Sequence, residues 1–250
     1  NFNEMIKRLK DQQEKLIITE RHEAWGSLAR KLAHEIKNPL TPIQLTIDRL
    51  KNKYSKDLAE KNKVDFNENL KIINNQIKQI EKLVNEFSDF ARMPKPIFQN
   101  NDLVVLINDN IKLLSALDKS IIIDFKKNTE KMIFNSDKEQ LSRVFFNLIK
   151  NSIESIQQTS KKDVNFKRNI GIELNDNDHH ISLIINDTGI GFKTLNTNIK
   201  DILNPYFTTK TNGTGLGLSI VNKILNDHNG SIEFISKDDG AEIKIVFLKK

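Results

Sequence analysis

Glycine carries the first chemical signal. Five of the nine glycines in the 250-residue chain fall at Gly189, Gly191, Gly213, Gly215 and Gly217. Such clustering means that backbone passes close to something, or adopts positive φ, at two places. The first is Asn186-Asp187-Thr188-Gly189-Ile190-Gly191, directly after a predicted strand. The second is Gly213-Thr214-Gly215-Leu216-Gly217-Leu218, directly before a predicted helix, where free backbone N–H groups suit anionic phosphates. Neither run is a G-x-G-x-x-G or G-K-[ST] fingerprint. A third element joins them: Asn147 and Asn151 lie four apart on a predicted helix and share one face. Asn is a poor helix former, so an aligned pair needs a reason. Two carboxamides facing a phosphate site can hold Mg2+ and its waters through oxygen.

A second cluster surrounds His34, in Ala33-His34-Glu35-Ile36-Lys37-Asn38-Pro39-Leu40-Thr41-Pro42. Glu35 is a neighbouring carboxylate that can accept from the imidazole Nδ1–H and make the other nitrogen a better nucleophile. Asn38 is four residues on, on the His34 face, where it can orient a water. Pro39 and Pro42 remove the donors to the carbonyls of Glu35 and Asn38, which predicts a kink just beyond His34. The other histidines carry no such neighbourhood. His22 lies among charged residues, His179-His180 at a hairpin turn, and His228 at a helix end, where a cation is favourable. With no Cys and no convergent Cys/His set, neither a disulfide nor a structural zinc is expected.

The elements that must position these groups follow from periodicity. Leu28, Leu32, Ile36, Leu40, Ile43, Ile47 and Leu50 form one helical stripe. Leu70, Ile73, Ile77, Ile80, Leu83, Phe87 and Phe90 form another, across a polar stretch at 51–62. Two such helices make an antiparallel hairpin that cannot cover both stripes, which predicts a dimeric four-helix bundle. Residues 1–20 carry a looser helical pattern, read as a helix entering from upstream. Met93-Pro94-Lys95-Pro96 breaks the helix and sets the domain boundary. Beyond it, helix is expected at 103–117, from Asp137 to about 157, and at 216–227. Strands are expected at 121–125, 170–174, 181–185, 231–235 and 242–247. That order favours an α+β sandwich with helices on one face. The resulting domains are a linker helix at 1–20, a helical hairpin at 21–93, a linker at 94–99 and an α+β domain at 100–250.

Charged residues make up 29% of the chain and no apolar run approaches a membrane span, so a soluble globular fold is expected. The net charge of +6 is spread along the chain rather than stacked in a stripe, which argues against direct nucleic-acid binding. The chain begins at Asn1 rather than Met, so an upstream membrane anchor is expected outside it.

The Asn147–Asn151 helix, the two glycine runs and Pro205-Tyr206-Phe207-Thr208-Thr209-Lys210 between them resemble the N, G1, G2 and F boxes of the GHKL (Bergerat) ATP-binding fold. That superfamily includes histidine kinases, DNA gyrase, Hsp90 and MutL. The resemblance implies that Asp187 receives the adenine amino group and that Gly189, Ile190 and Gly191 lie against the base and sugar. It gives Asn151 to Mg2+, with Asn147 and Lys150 beside it. Phe207, Thr208, Lys210, Gly213, Thr214, Gly215, Leu216, Gly217 and Leu218 would shape the phosphate end, under a lid at 193–212. In gyrase-like ATPases a Glu that activates water stands where this chain has Asn147. Asn cannot act as a base, which suits transfer to a protein acceptor.

The His34 segment is similar to the H-box of the histidine kinase dimerisation and phosphoacceptor domain. With Ala24-Trp25 and Phe90-Ala91-Arg92-Met93-Pro94-Lys95-Pro96 it looks closest to nitrogen-regulation sensor kinases of the NtrY type. The resemblance implies a two-component sensor histidine kinase that uses ATP and Mg2+ to phosphorylate His34. It further implies a homodimer, transfer to an Asp of a response-regulator receiver domain, and phosphatase action through Asn38. The expected location is the cytoplasmic portion of a bacterial inner-membrane sensor. Two rivals remain at this stage, an inactive ATP-binding scaffold and a GHKL ATPase. Glu154 and Ser155 depart from the Lys-Tyr pattern common after the second Asn, so the contacts of that turn are open.

Overall fold

The computed structural model describes residues 31–55, 60–91, 93–160, 167–192, 199–210, 213–237 and 239–249. The expected linker helix at 1–20, His22 and Ala24-Trp25 lie outside them, as do parts of the expected lid. The chain divides into two compact units that meet between Pro94 and Lys95.

The first unit contains helix α1, residues 31–54, and helix α2, Glu60–Ala91. Ala33, Leu40 and Ile47 on α1 and Leu70, Ile77 and Val84 on α2 are buried. Each set repeats every seven residues, the period of a coiled-coil seam. Leu40, Ile47, Leu70 and Ile77 form one cluster with Phe66 against it. The apolar stripes expected from sequence therefore resolve into two seams. The second, Ile36, Ile43 and Leu50 with Ile73 and Ile80, stays exposed within the single chain. The helix assignment runs through Pro39 and Pro42 without interruption. Each proline removes only one donor, and the intact turns around it hold the helix. The Thr46 hydroxyl donates to the Pro42 carbonyl at 2.8 Å.

The second unit is a five-stranded mixed sheet in the order β2-β4-β5-β7-β6, with three helices packed on it. The strands are β2 (Ile122–Lys127), β4 (Asn169–Asp176), β5 (His180–Asp187), β6 (Gly230–Lys237) and β7 (Gly240–Leu248). Only β2 and β4 pair in parallel; the other neighbours are antiparallel. Ile170, Ile172 and Leu174 on β4 alternate toward the core, as do Ile243, Ile245 and Phe247 on β7. They meet α3 (Leu103–Ser115), α4 (Lys138–Ser160) and α5 (Gly217–Asp227), so one sheet face is covered by helix. This is the expected α+β sandwich.

A small sheet was not readable beforehand. Strand β1 (Gln99–Asp102) pairs with β3 (Ile133–Ser136), although Gln-Asn-Asn-Asp has neither alternation nor β propensity. The pairing ends in a cap: Asp102 Oδ1 accepts the N–H of Val104 at the start of α3 and that of Met132 before β3.

His228 departs from expectation. The sequence places it at a helix end that favours a cation, but the ring is 3% exposed. Its Nε2 accepts the Asp137 backbone N–H at 3.0 Å, and its Nδ1 lies 2.8 Å from the Ile224 carbonyl. An imidazolium has no lone pair to accept with, so this contact requires the neutral ring.

Candidate nucleotide site on helix α4

Helix α4 starts where the sequence says it should. Asp137 Oδ1 accepts the Gln140 N–H at 3.0 Å, which caps the first turn. Leu141, Val144, Phe145, Leu148, Ile149, Ile153 and Ile156 are buried, each with another of the set three or four positions away. That stripe fixes the helix against the sheet and leaves a neighbouring face for polar groups. Asn147, Asn151 and Glu154 stand there, while Ser152 lies within the buried stripe and Ser155 at its edge, and together these five side chains meet two parts of the chain.

At one end Ser152 Oγ donates to Asp187 Oδ2 at 2.9 Å. Asp187 is the last residue of β5 and is 7% exposed. Burial pushes its carboxyl above the ordinary range. The Gly189 N–H, the Ser152 hydroxyl and the Ala241 N–H work the other way, by stabilising the charge. The Gly189 N–H reaches Oδ1 at 2.9 Å. Ser155 Oγ accepts the N–H of Ile190, the exposed residue between the two glycines, at 3.1 Å. A Cβ on Gly189 would fall on that hydroxyl, so the glycine serves close approach here. Gly191 follows at φ 66°.

At the other end Asn147 Oδ1 faces Gly217, the first residue of α5. One turn later Asn151 Oδ1 accepts from Lys210 Nζ at 2.8 Å. Lys210 also pairs with Glu154, whose other oxygen lies 3.9 Å from Lys150 Nζ. Thr208 Oγ1 accepts the Lys210 N–H at 3.1 Å, and the Gly213 N–H donates to the Lys210 carbonyl at 3.1 Å. Leu216 is buried, while Thr214, Leu218 and Phe207 are half-buried around this end. Gly215 has φ 70°, and its carbonyl accepts the N–H of Tyr206, itself at φ 68°. Backbone of Tyr206 fills the place of a Gly215 side chain, so a residue with a Cβ is excluded twice over.

The donors fit a divalent cation. A carboxamide oxygen of Asn151 and a carboxylate oxygen of Glu154 already converge on one positive charge, the Lys210 ammonium, and both are hard oxygen ligands of the kind Mg2+ takes.

The structure therefore brings together Asn147, Lys150, Asn151, Asp187, Gly189, Ile190, Gly191, Lys210 and the second glycine run along one helix. His34, Glu35 and Asn38 lie in the first unit, all three exposed on α1. Among the described residues no hydrogen bond joins His34 to Glu35, in keeping with adjacent helical positions that face about 100° apart. Sequence reasoning missed Ser152 as the partner of Asp187. The only available signal was its place one residue after Asn151. It left Glu154 and Ser155 open, and both line the site.

Two family models match the chain. That of the histidine kinase-, DNA gyrase B-, and HSP90-like ATPase covers residues 136–250, and that of the His Kinase A (phospho-acceptor) domain covers residues 24–96. The NtrY-like sensor histidine kinase of Rickettsia prowazekii is 39% identical over 249 residues, 98% of this chain and 40% of that protein. The nitrogen regulation protein NtrY of Azorhizobium caulinodans is 36% identical over 227 residues, 90% of this chain and 28% of that protein. The chain spans about two-fifths of the length of the first curated relatives it matches. The crystal structure of histidine kinase ThkA in complex with response regulator protein TrrA shares the fold. Its TM-score is 0.63 at 24% identity, over 97% of this chain and 67% of that one.

Proposed function

The chain belongs to the histidine kinases, joining a phospho-acceptor domain to an ATPase-type domain, and from that premise we propose that it uses ATP to phosphorylate its own His34. The observation that carries this reading is the set of polar side chains on α4. It turns Ser152 to the buried Asp187, Asn151 to Lys210 and Asn147 to the start of α5. Such a set can grip a nucleotide at its base and its phosphates, yet Asn147 offers no carboxylate to activate water.

Asp187 accepts from the adenine amino group, because an ionised carboxylate is an acceptor only. The glycine turn at Gly189 and Gly191 lets the base and sugar lie close. Asn151 would hold the metal, which when bound neutralises charge on the triphosphate. The backbone at Gly213, Gly215 and Gly217 faces the phosphates. An imidazole nitrogen of His34 attacks the γ-phosphorus in line. A P–N bond forms as the bond to the ADP oxygen breaks. Positioning and charge neutralisation supply most of the rate.

The finer activities are part of the same proposal. The phosphoryl group passes to an Asp of a response-regulator receiver domain, and Asn38, exposed one turn from His34, orients water for dephosphorylation. A link to nitrogen regulation is supported by a relative's name. The greater length of the relatives supports a longer sensor protein, and a place for these domains on the cytoplasmic side of a bacterial inner membrane is part of the same proposal. No helix among the described residues is itself long and apolar enough to cross a membrane.

The test is incubation of the chain with γ-labelled ATP and Mg2+ beside His34→Gln. Acid-labile, base-stable label is expected in the unaltered chain and none in the variant. Label that persists in His34→Gln would overturn the reading.

A further inference from the structure

The phosphate end of the site already holds a cation. Lys210 Nζ lies 2.8 Å from Asn151 Oδ1 and pairs with the Glu154 carboxylate. Asn151 is the residue to which the proposed function gives the metal. Its side-chain oxygen is therefore engaged by a tethered ammonium in this state. The two oxygens that hold Lys210 are of the type that hold a hard divalent ion. A lysine ammonium is a compact point charge on a flexible stem, so it can occupy such a place and leave it.

We propose that Lys210 is a built-in stand-in for the divalent cation, held at Asn151 by Glu154, and that a metal-bound nucleoside triphosphate enters by displacing it. Glu154 is a positioning residue in this scheme: it sets how firmly the ammonium is held. The proposal rests on the nucleotide-binding reading above.

Two consequences follow from the local bonding. Glu154 and Lys210 are each about a third exposed, 36% and 30% at the side chain, so solvent weakens the pair and the hold is modest. It tunes affinity rather than closing the site. Lys210 is also tied by backbone to the second glycine run, through the Gly213 N–H to its carbonyl, and to Thr208 through its own N–H. Those backbone bonds do not involve the ammonium, so the exchange of cations asks only the Lys210 side chain to move.

The experiment is equilibrium binding of ATP to the intact chain by calorimetry, with Mg2+ and with a chelator. Four proteins are compared: unaltered, Glu154→Gln, Lys210→Met and the double variant. Thermal transitions are recorded so that unfolding is not mistaken for lost affinity. Glu154→Gln alone is expected to tighten Mg-ATP binding by roughly three- to fivefold, the upper end of the scale of a partly exposed ion pair. In the Lys210→Met background the same change is expected to alter affinity by less than about twofold, because the held group is gone. Equal tightening in both backgrounds would mean that Glu154 merely repels phosphate, and would overturn the proposal. Weaker binding by Glu154→Gln together with lost Mg2+ dependence would make Glu154 a metal ligand, and would overturn it too. So would an unchanged affinity. If the unaltered chain binds no ATP, the functional reading falls and this one with it. ATP binding that ignores Glu154 sinks only the stand-in.

Discussion

The proposed nucleotide contact asks Asp187 to carry charge in surroundings that disfavour it, and three donors oppose the effect of burial without cancelling it. That balance has a sign in pH. Burial raises the carboxyl above the ordinary range, so protonation begins at a higher pH than for an exposed Asp. A nucleotide that donates to the carboxylate binds the ionised form. Its affinity is therefore level at high pH and falls about tenfold per pH unit once the carboxyl protonates. Ser152→Ala removes one of the donors that hold the carboxyl down. The fall should move to higher pH, and affinity on the level limb should drop roughly tenfold, the scale of a hydrogen bond to a charged group. Titration with a fluorescent ATP analogue across pH checks this. An acid limb that stays in place would detach Ser152 from the function of Asp187.

Elements are held in register by a single node at the head of α4. Asp137 caps that helix through Oδ1, accepts the Ile97 N–H at Oδ2 and donates its own N–H to His228 at the end of α5. The Phe98 ring lies 5.1 Å from the imidazole. One residue thus ties the chain entering the second unit to helices α4 and α5. His228→Ala leaves the Asp137 N–H without its acceptor and a hole beside Phe98. The expected cost is about 2–4 kcal/mol, seen as a lowered urea midpoint followed by circular dichroism. A loss below about 0.5 kcal/mol would mean that the node is incidental.

For the molecule as a whole, the exposed seam on the first unit offers an apolar surface to a second copy. Ile36, Ile43 and Leu50 on α1 repeat every seven residues, as do Ile73 and Ile80 on α2, and all five are exposed in the single chain. A second copy would bury them at about 1.5–3 kcal/mol for each fully covered side chain. The homodimer expected from sequence would be a four-helix bundle built on that seam. Ile73→Glu is expected to convert the dimer to monomer in sedimentation velocity without loss of helix content. A variant that stays dimeric would place the interface elsewhere.

Sequence alone singled out the candidate chemistry-bearing groups. His34 with Asn38, Asn147 with Asn151, and each glycine run sit within one or two helical turns or one tight turn. There, residue type and spacing fix which face a group occupies. The same local rules gave strands β2, β4, β5, β6 and β7 and helices α3, α4 and α5, because alternation and 3.6-residue periodicity are local. Tertiary structure decided the partners. Ser152 meets Asp187 across 35 positions, Lys210 meets Glu154 across 56, and His228 meets Asp137 across 91. Tyr206 and Gly215 adopt positive φ together only because one backbone lies on the other. Asn-rich β1 becomes a strand because β3 is there to pair with it. No local period encodes such contacts. They depend on which strand lies beside which and on how each helix is turned, and packing of the whole core sets both.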